Sequence, residues 1–288
     1  IPLAAALETR AETVRARALG GGDPSECDKA RRLYRQLVST NERNIDLMLE
    51  LGRLELEVGA LSAASKLFKA AVAQDESRLD AFYLRGEASR RAGQPQFAKF
   101  DFERALSNQD RLGSIRPVWV LVGRARTHLA LGNREQARRD LEDAQTLDPQ
   151  EPRVRLLRSE YLAASGEHDA AVAELDLAAR AFPNNAEVQL AVGYGWAAVG
   201  VYGLARKAFD STLQHSASPR AYLARARLRA LAEDTDWSED LEIALERSDP
   251  RDPIHLEVRL AQVRILRGLG RLDDAEAAAT AVFDKQKL

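Results

Sequence analysis

A chain of 288 residues has room for about two ordinary domains, unless it is built by repetition. A composition that is 45% hydrophobic and 30% charged, with a net charge of −2, argues against a dedicated nucleic-acid binder, which needs a clustered excess of cations. The basic residues are 35 arginines and 7 lysines, which leaves two readings: a genomic bias, or a use for the planar guanidinium fork that grips carboxylates with two parallel bonds. Cys27 is alone, so a disulfide framework and a cysteine-based metal site are excluded. The longest uncharged run, Val188–Ala205, is near the lower limit for a membrane span, but four glycines interrupt it and membrane insertion is not expected. The chain opens on Ile1 with no secretory signal peptide, so removal of a leader or upstream domain stays open, as does the choice between cytoplasm and periplasm.

In chain order, the first helical region (about residues 1–44) is irregular, with a Gly20-Gly21-Gly22-Asp23-Pro24 turn ahead of a helix at about Glu26–Thr40. No strand precedes that triple glycine and no Gly-Lys-Ser/Thr follows it, so it reads as a loop and not as a phosphate cradle. Residues 45–78 and 79–112 each read as two short amphipathic helices, and Gln94-Pro95 marks a helix start with proline at its first position. Five extra residues, Gly113–Pro117, then make a longer connection or a bent junction. Residues 118–151 are the clearest hairpin. Gly132 suits the left-handed residue that ends a helix, Asn133 with Gln136 reads as a capping box, and Pro149 stops the second helix. Residues 152–185 follow the same plan, and 186–218 follow it with four glycines that soften the segment. Residues 219–249 are degenerate: the turn is Ala232-Glu233-Asp234, and Trp237 stands where a small residue is wanted, so this hairpin is expected to be splayed or shifted in register. Residues 256–288 close the series. Nothing follows to cover Ala275, Ala279, Val282 and Phe283, which leaves a longer native chain, a second molecule or tolerated exposure as alternatives.

One register runs through these segments. A small residue recurs at Ala30, Ala64, Ala98, Ala137, Ala171 and Ala205, then Trp237 as a misfit, then Ala275. Four places later come Tyr34, Phe68, Phe102, Leu141, Leu175, Phe209, Leu241 and Ala279, and five places earlier Gly59, Gly93, Gly132, Gly166, Gly200 and Gly270. Only a small residue lets two helix axes approach to roughly 8–10 Å, while the bulky ones fill the space between helices. A lone hairpin cannot bury both of its faces, so neighbours must stack. With the turn glycine, the small residues Ala125, Ala137 and Ala144, bulky Leu141 and closing Pro149, the chain resembles the tetratricopeptide repeat family, in about eight units. That resemblance implies an all-α solenoid of antiparallel helix-turn-helix repeats, wound as a right-handed superhelix, in a single domain over 1–288.

No chemistry competes with that reading. His128, His168, His215 and His255 lie in or beside different repeats and no His-Glu-x-x-His occurs, so neither a metal site nor a cofactor is expected. Paired acids such as Glu55/Glu57 and Asp273/Asp274 read as solvated faces, and no enzyme is expected. In the family that the chain resembles, the first helix of each repeat lines a concave groove that holds peptides or partner helices. The places carried over are Arg53 and Leu56; Tyr83, Glu87 and Arg90; Trp119, Val122 and Arg126; Leu156 and Glu160; Leu190 and Tyr194; Arg227; and Arg264 with Arg267. The Lys and Asn set that clamps acidic chaperone tails is missing: its places hold Leu49, Arg53, Leu84, Trp119 and Gly123. The expectation is a non-catalytic scaffold of bacterial style that binds a protein or peptide partner in its groove, within a multiprotein assembly. The alternatives are a solenoid that self-associates into a homo-oligomer through its uncapped C-terminal end, or the regulatory arm of a larger enzyme or envelope export protein.

Overall fold

The computed structural model describes residues 24–285, as fifteen α-helices and one 3-10 turn, with no strand among the described residues. The expected leading helix, the Gly20-Gly21-Gly22 turn and the side chains of Cys27 and Phe283 lie outside what is described. The chain divides into two compact bodies, Ser25–Arg180 and the part from Ala181 onward. The N-terminal body holds α1 (Pro24–Thr40), α2 (Ile45–Glu57), α3 (Leu61–Gln74), α4 (Leu79–Arg91), α5 (Pro95–Ala105), α6 (Pro117–Ala130), α7 (Arg134–Leu147), α8 (Pro152–Ala164) and α9 (His168–Ala181). The C-terminal body holds α10 (Ala186–Ala198), α11 (Tyr202–His215), α12 (Pro219–Leu231), α13 (Trp237–Glu246), α14 (Pro253–Gly268) and α15 (Leu272–Lys285).

The hairpin turns are all of one kind. At Gly59, Gly93, Gly132, Gly166, Gly200 and Gly270 the backbone is left-handed, and the next residue's N–H reaches back to the carbonyl five positions earlier, as from Asn133 to His128 at 2.8 Å and from Val201 to Trp196 at 2.8 Å. Pro95, Pro117, Pro152, Pro219 and Pro253 open helices, where their missing N–H costs nothing. Asn44 and Asn185 cap α2 and α10 with side-chain acceptors. The capping box expected at Asn133 is not formed. Its backbone N–H is taken by His128, so the tight turn already holds the start of α7 in place.

Packing follows a rule of size exchange sixteen residues apart. Gly52 faces Phe68, Gly86 faces Phe102 and Gly193 faces Phe209, whereas at the same spacing the larger Ala125 and Ser159 accompany the smaller Leu141 and Leu175, all four buried. A Cβ at Gly86 would lie 2.9 Å from the Phe102 ring, and one at Gly123 in the next repeat 2.8 Å from it. Glycine is therefore required there by space and not by backbone freedom. A second exchange at the same separation is ionic. Arg85 holds Asp101 (3.0 and 2.6 Å), Arg124 holds Asp140 (3.0 Å) and Arg158 reaches Glu174 (3.3 Å), each tying the two helices of one hairpin. Across α1 and α2, Arg31 and Arg35 close on the buried carboxylate of Glu55.

The insertion before α6 is a packed connection. A 3-10 turn at Gln109–Arg111 and a left-handed Gly113 fold it so that Leu112 and Ile115 are buried in the core. The seventh hairpin is not splayed. Ala226, Leu241 and Ala244 are buried within it, and Arg225 grips Asp240 at 3.0 and 2.7 Å. Its turn keeps the same hydrogen bond, Asp234 N–H to Arg229 carbonyl, with Glu233 in the left-handed place. What shifts is the start of α13: Trp237 is its first residue, whereas Ala64, Ala98, Ala137, Ala171, Ala205 and Ala275 are each the fourth residue of their helix. Losing that first turn brings the indole, 6% exposed, into the same buried cluster as Ala226 and Leu241. Ala275, expected to be uncovered, is buried with α14 residues, while Ala279 and Val282 are half-buried. Val188–Ala205 breaks into α10 and α11, and no described helix is long and apolar enough to cross a membrane.

Candidate functional site

In the N-terminal body the first helices of successive hairpins lie side by side: α2 against α4, α4 against α6, α6 against α8. Residues at one place in each repeat therefore stand next to one another. That place carries Arg53, Glu87, Arg126 and Glu160, alternating in sign. Arg126 grips Glu160 with both arms of its fork (3.0, 3.1 and 2.8 Å). Glu87 accepts two bonds from Arg90 (3.2 and 3.0 Å) and lies 3.8 Å from Arg91. Burial pushes the Glu87 carboxyl upward, but Arg90, then Arg91 and Arg126, outweigh it and hold the group below its ordinary value. Arg90 is raised: its burial is outweighed by Glu87 and, from α8, Glu160. Arg53 has Glu50 as its partner, at 3.8 Å.

A second group sits one to two turns nearer the helix starts. The indole N–H of Trp119 donates to Glu151 (3.0 Å), and the guanidinium groups of Arg153 and Arg116 lie 4.7 and 5.6 Å from its ring centre. Glu151 is buried, also accepts from Arg116 (2.6 Å) and caps α8 through the Arg153 N–H; Arg116 has a further ion pair with Asp148. Tyr83 is 6% exposed beside Phe102, and burial, reinforced by the Glu87 charge, pushes its phenol up to about 12. Among the residues expected in the groove, Glu87, Arg90, Trp119 and Arg126 thus share this face, while Tyr83 belongs to its packed floor. Val122 and Leu156 are likewise buried.

In the C-terminal body Tyr194 is exposed, sets its ring edge against Phe209 (5.4 Å) and donates to the Arg220 carbonyl (3.3 Å). Arg227 pairs with Glu257 of α14 at 3.0 Å. Arg264 and Arg267 are exposed. Sequence reasoning missed Arg116, Glu151 and Arg153, which organise Trp119, and the ionic exchange within hairpins. The sixteen-residue spacing of Arg85/Asp101 and Arg124/Asp140 was a signal that could have found the latter. Among the described residues no group of His, Cys, Asp and Glu could hold a metal ion.

Residues 122–186 match the family model described as tetratricopeptide repeat, within a chain whose helices pair as that repeat requires. That segment carries tetratricopeptide repeats, and the other described hairpins repeat its fold. Its repeat fold is shared with solved structures at low identity. A tetratricopeptide repeat protein from Parabacteroides merdae is 14% identical, with a TM-score of 0.55, over 90% of this chain and 98% of that one. Yeast Tom70 is 17% identical, with a TM-score of 0.60, over 91% of this chain and 55% of that one. A chain of the Cut9–Hcn1 hetero-tetramer of the APC/C is 17% identical, with a TM-score of 0.53, over 82% of this chain and 46% of that one. These likenesses concern the repeat fold. No curated protein matches the sequence.

Proposed function

We propose that the protein is a non-catalytic scaffold that holds a protein or peptide partner along the α4, α6 and α8 face of its N-terminal body. The observation that carries this reading is the row of fixed, partly exposed charges and the stacked Trp119 on that face, while the apolar sides of the same helices are consumed by packing. Charges already held by neighbours lose little side-chain freedom on binding, which lowers the cost of association. Aromatic and arginine side chains are what protein-binding surfaces concentrate. The test is recovery of bound proteins by the native chain and by an Arg90→Glu/Arg126→Glu variant from the same cell extract, with circular dichroism as the folding control. The reading expects a protein retained by the native chain and lost by the folded variant. Equal recovery refutes it.

A further inference from the structure

Helix α14 carries a stripe that the other described residues leave uncovered. Leu256, Leu260, Arg264 and Arg267 follow one another at four, four and three residues, so they line one side of the helix over about 16 Å. Both leucines are 38% exposed, although their helix buries Val258, Ala261 and Leu266 against its hairpin partner and the preceding repeat. The two arginines differ from the other arginines expected in the groove. Arg53, Arg90, Arg126 and Arg227 each face a carboxylate, whereas Arg264 and Arg267 make no hydrogen bond or ion pair among the described residues. Two acids of the same hairpin are held by other arginines: Glu257 by Arg227 and Asp274 by Arg271. The stripe is thus apolar at one end and positively charged, without compensation, at the other.

We propose that this stripe docks an acidic amphipathic helix of a partner protein, laid antiparallel to α14. This rests on the reading of the chain as a partner-binding repeat protein, and adds a second contact in the other body. Antiparallel packing sets the partner's leucine-type side chains on Leu256 and Leu260, and the carboxylates of its first turns on Arg264 and Arg267. It also satisfies both helix dipoles, since acids favour a helix N-terminus and Arg267 already occupies the last turn of α14. A parallel partner would need its carboxylates at its own C-terminal end, where the dipole opposes them. An ion pair that is partly desolvated by flanking leucines is worth about ten-fold in affinity.

The probe is a labelled synthetic helical peptide with two glutamates in its first two turns, followed by two leucines at four-residue spacing, and a counterpart with lysines for glutamates. Fluorescence anisotropy with the full chain is expected to show the glutamate peptide bound at least about ten-fold more tightly than the lysine peptide. The exposed-site variant Arg264→Glu/Arg267→Glu should reverse that order, Arg264→Lys/Arg267→Lys should keep it, and Leu256→Ser/Leu260→Ser should weaken both peptides together. Failure of the native chain to bind the glutamate peptide, equal affinity for the two peptides, or an unreversed order in the folded charge variant overturns the proposal. So does tighter binding of a single-stranded oligonucleotide through the same arginines. Arg90 and Arg126 lie in the other body, so their variants fail or succeed independently of this result.

Discussion

The third hairpin, α4 with α5, and the seventh, α12 with α13, solve the same problem with different residues. The third has a left-handed glycine at its turn, an alanine where α5 meets α4, and Phe102 seated on Gly86. The seventh has Glu233 at the turn, Trp237 at the opening of a helix three residues shorter at its start, and Leu241 as the filler. Both keep the back-bonded turn, the buried filler and the arginine–aspartate clasp. Register is therefore held by what lies between the helices, and the residues at the tip can be exchanged.

The largest expected effect tests the filler. Phe102→Ala should destabilise the chain by about 3–5 kcal/mol, because the ring touches two repeats and leaves a cavity that Gly86 and Gly123 cannot fill; Leu241→Ala should cost less, about 2–3 kcal/mol. Denaturant unfolding that ranks the two in the opposite order breaks the comparison. Next comes the clasp. Asp240→Ala removes a buried carboxylate shared by Arg225, which keeps Asp210 (2.8 Å), and Arg229 (3.1 Å), and should cost roughly 3 kcal/mol; Asp101→Ala removes the bonds of Arg85 alone and should cost less. Thermal melting of the two variants side by side reads this difference.

A smaller effect extends the comparison to the fourth hairpin. His128 is buried 3.9 Å from Asp140, and burial holds its pKa below the ordinary value despite that charge. Since the folded chain takes up the proton less readily than the unfolded chain, this stabilising contribution is complete above pH about 6.5 and declines as pH falls toward the lowered folded value. A melting curve series from pH 7.5 to 5 should slope less in a His128→Gln variant; identical slopes refute the assignment. The smallest effect is a gain. Glu233→Gly relieves a left-handed backbone that disfavours a side chain and should stabilise the seventh hairpin by about 1 kcal/mol, read as a rise in melting temperature.

Much of the architecture was legible in the sequence, because glycine turns, small residues and bulky fillers recur at fixed offsets. Gly132, Ala137 and Leu141 stand where their spacing places them. Trp237 misled because volume alone was weighed: the sequence shows an oversized residue, but not that α13 starts late enough to receive it. Asn133 misled because a capping pattern is local, whereas the turn that replaces the cap depends on His128 five residues back. For the candidate face, carrying helix places across repeats brought Glu87, Arg90, Trp119 and Arg126 together. It could not separate Tyr83 from them, since exposure depends on what the neighbouring helix covers. Glu151 escaped notice because it precedes its helix, outside the helical periodicity used to choose candidates.

The sign alternation through Arg53, Glu87, Arg126 and Glu160 gives the repeats parity. Excising residues 78–116 would leave the remaining hairpins intact yet bring two guanidinium groups, Arg53 and Arg126, to successive places. Excising two successive repeats would restore opposite neighbours. Modules that look interchangeable in shape are thus countable in charge, and insertions or losses along this lineage are expected to be tolerated best in twos.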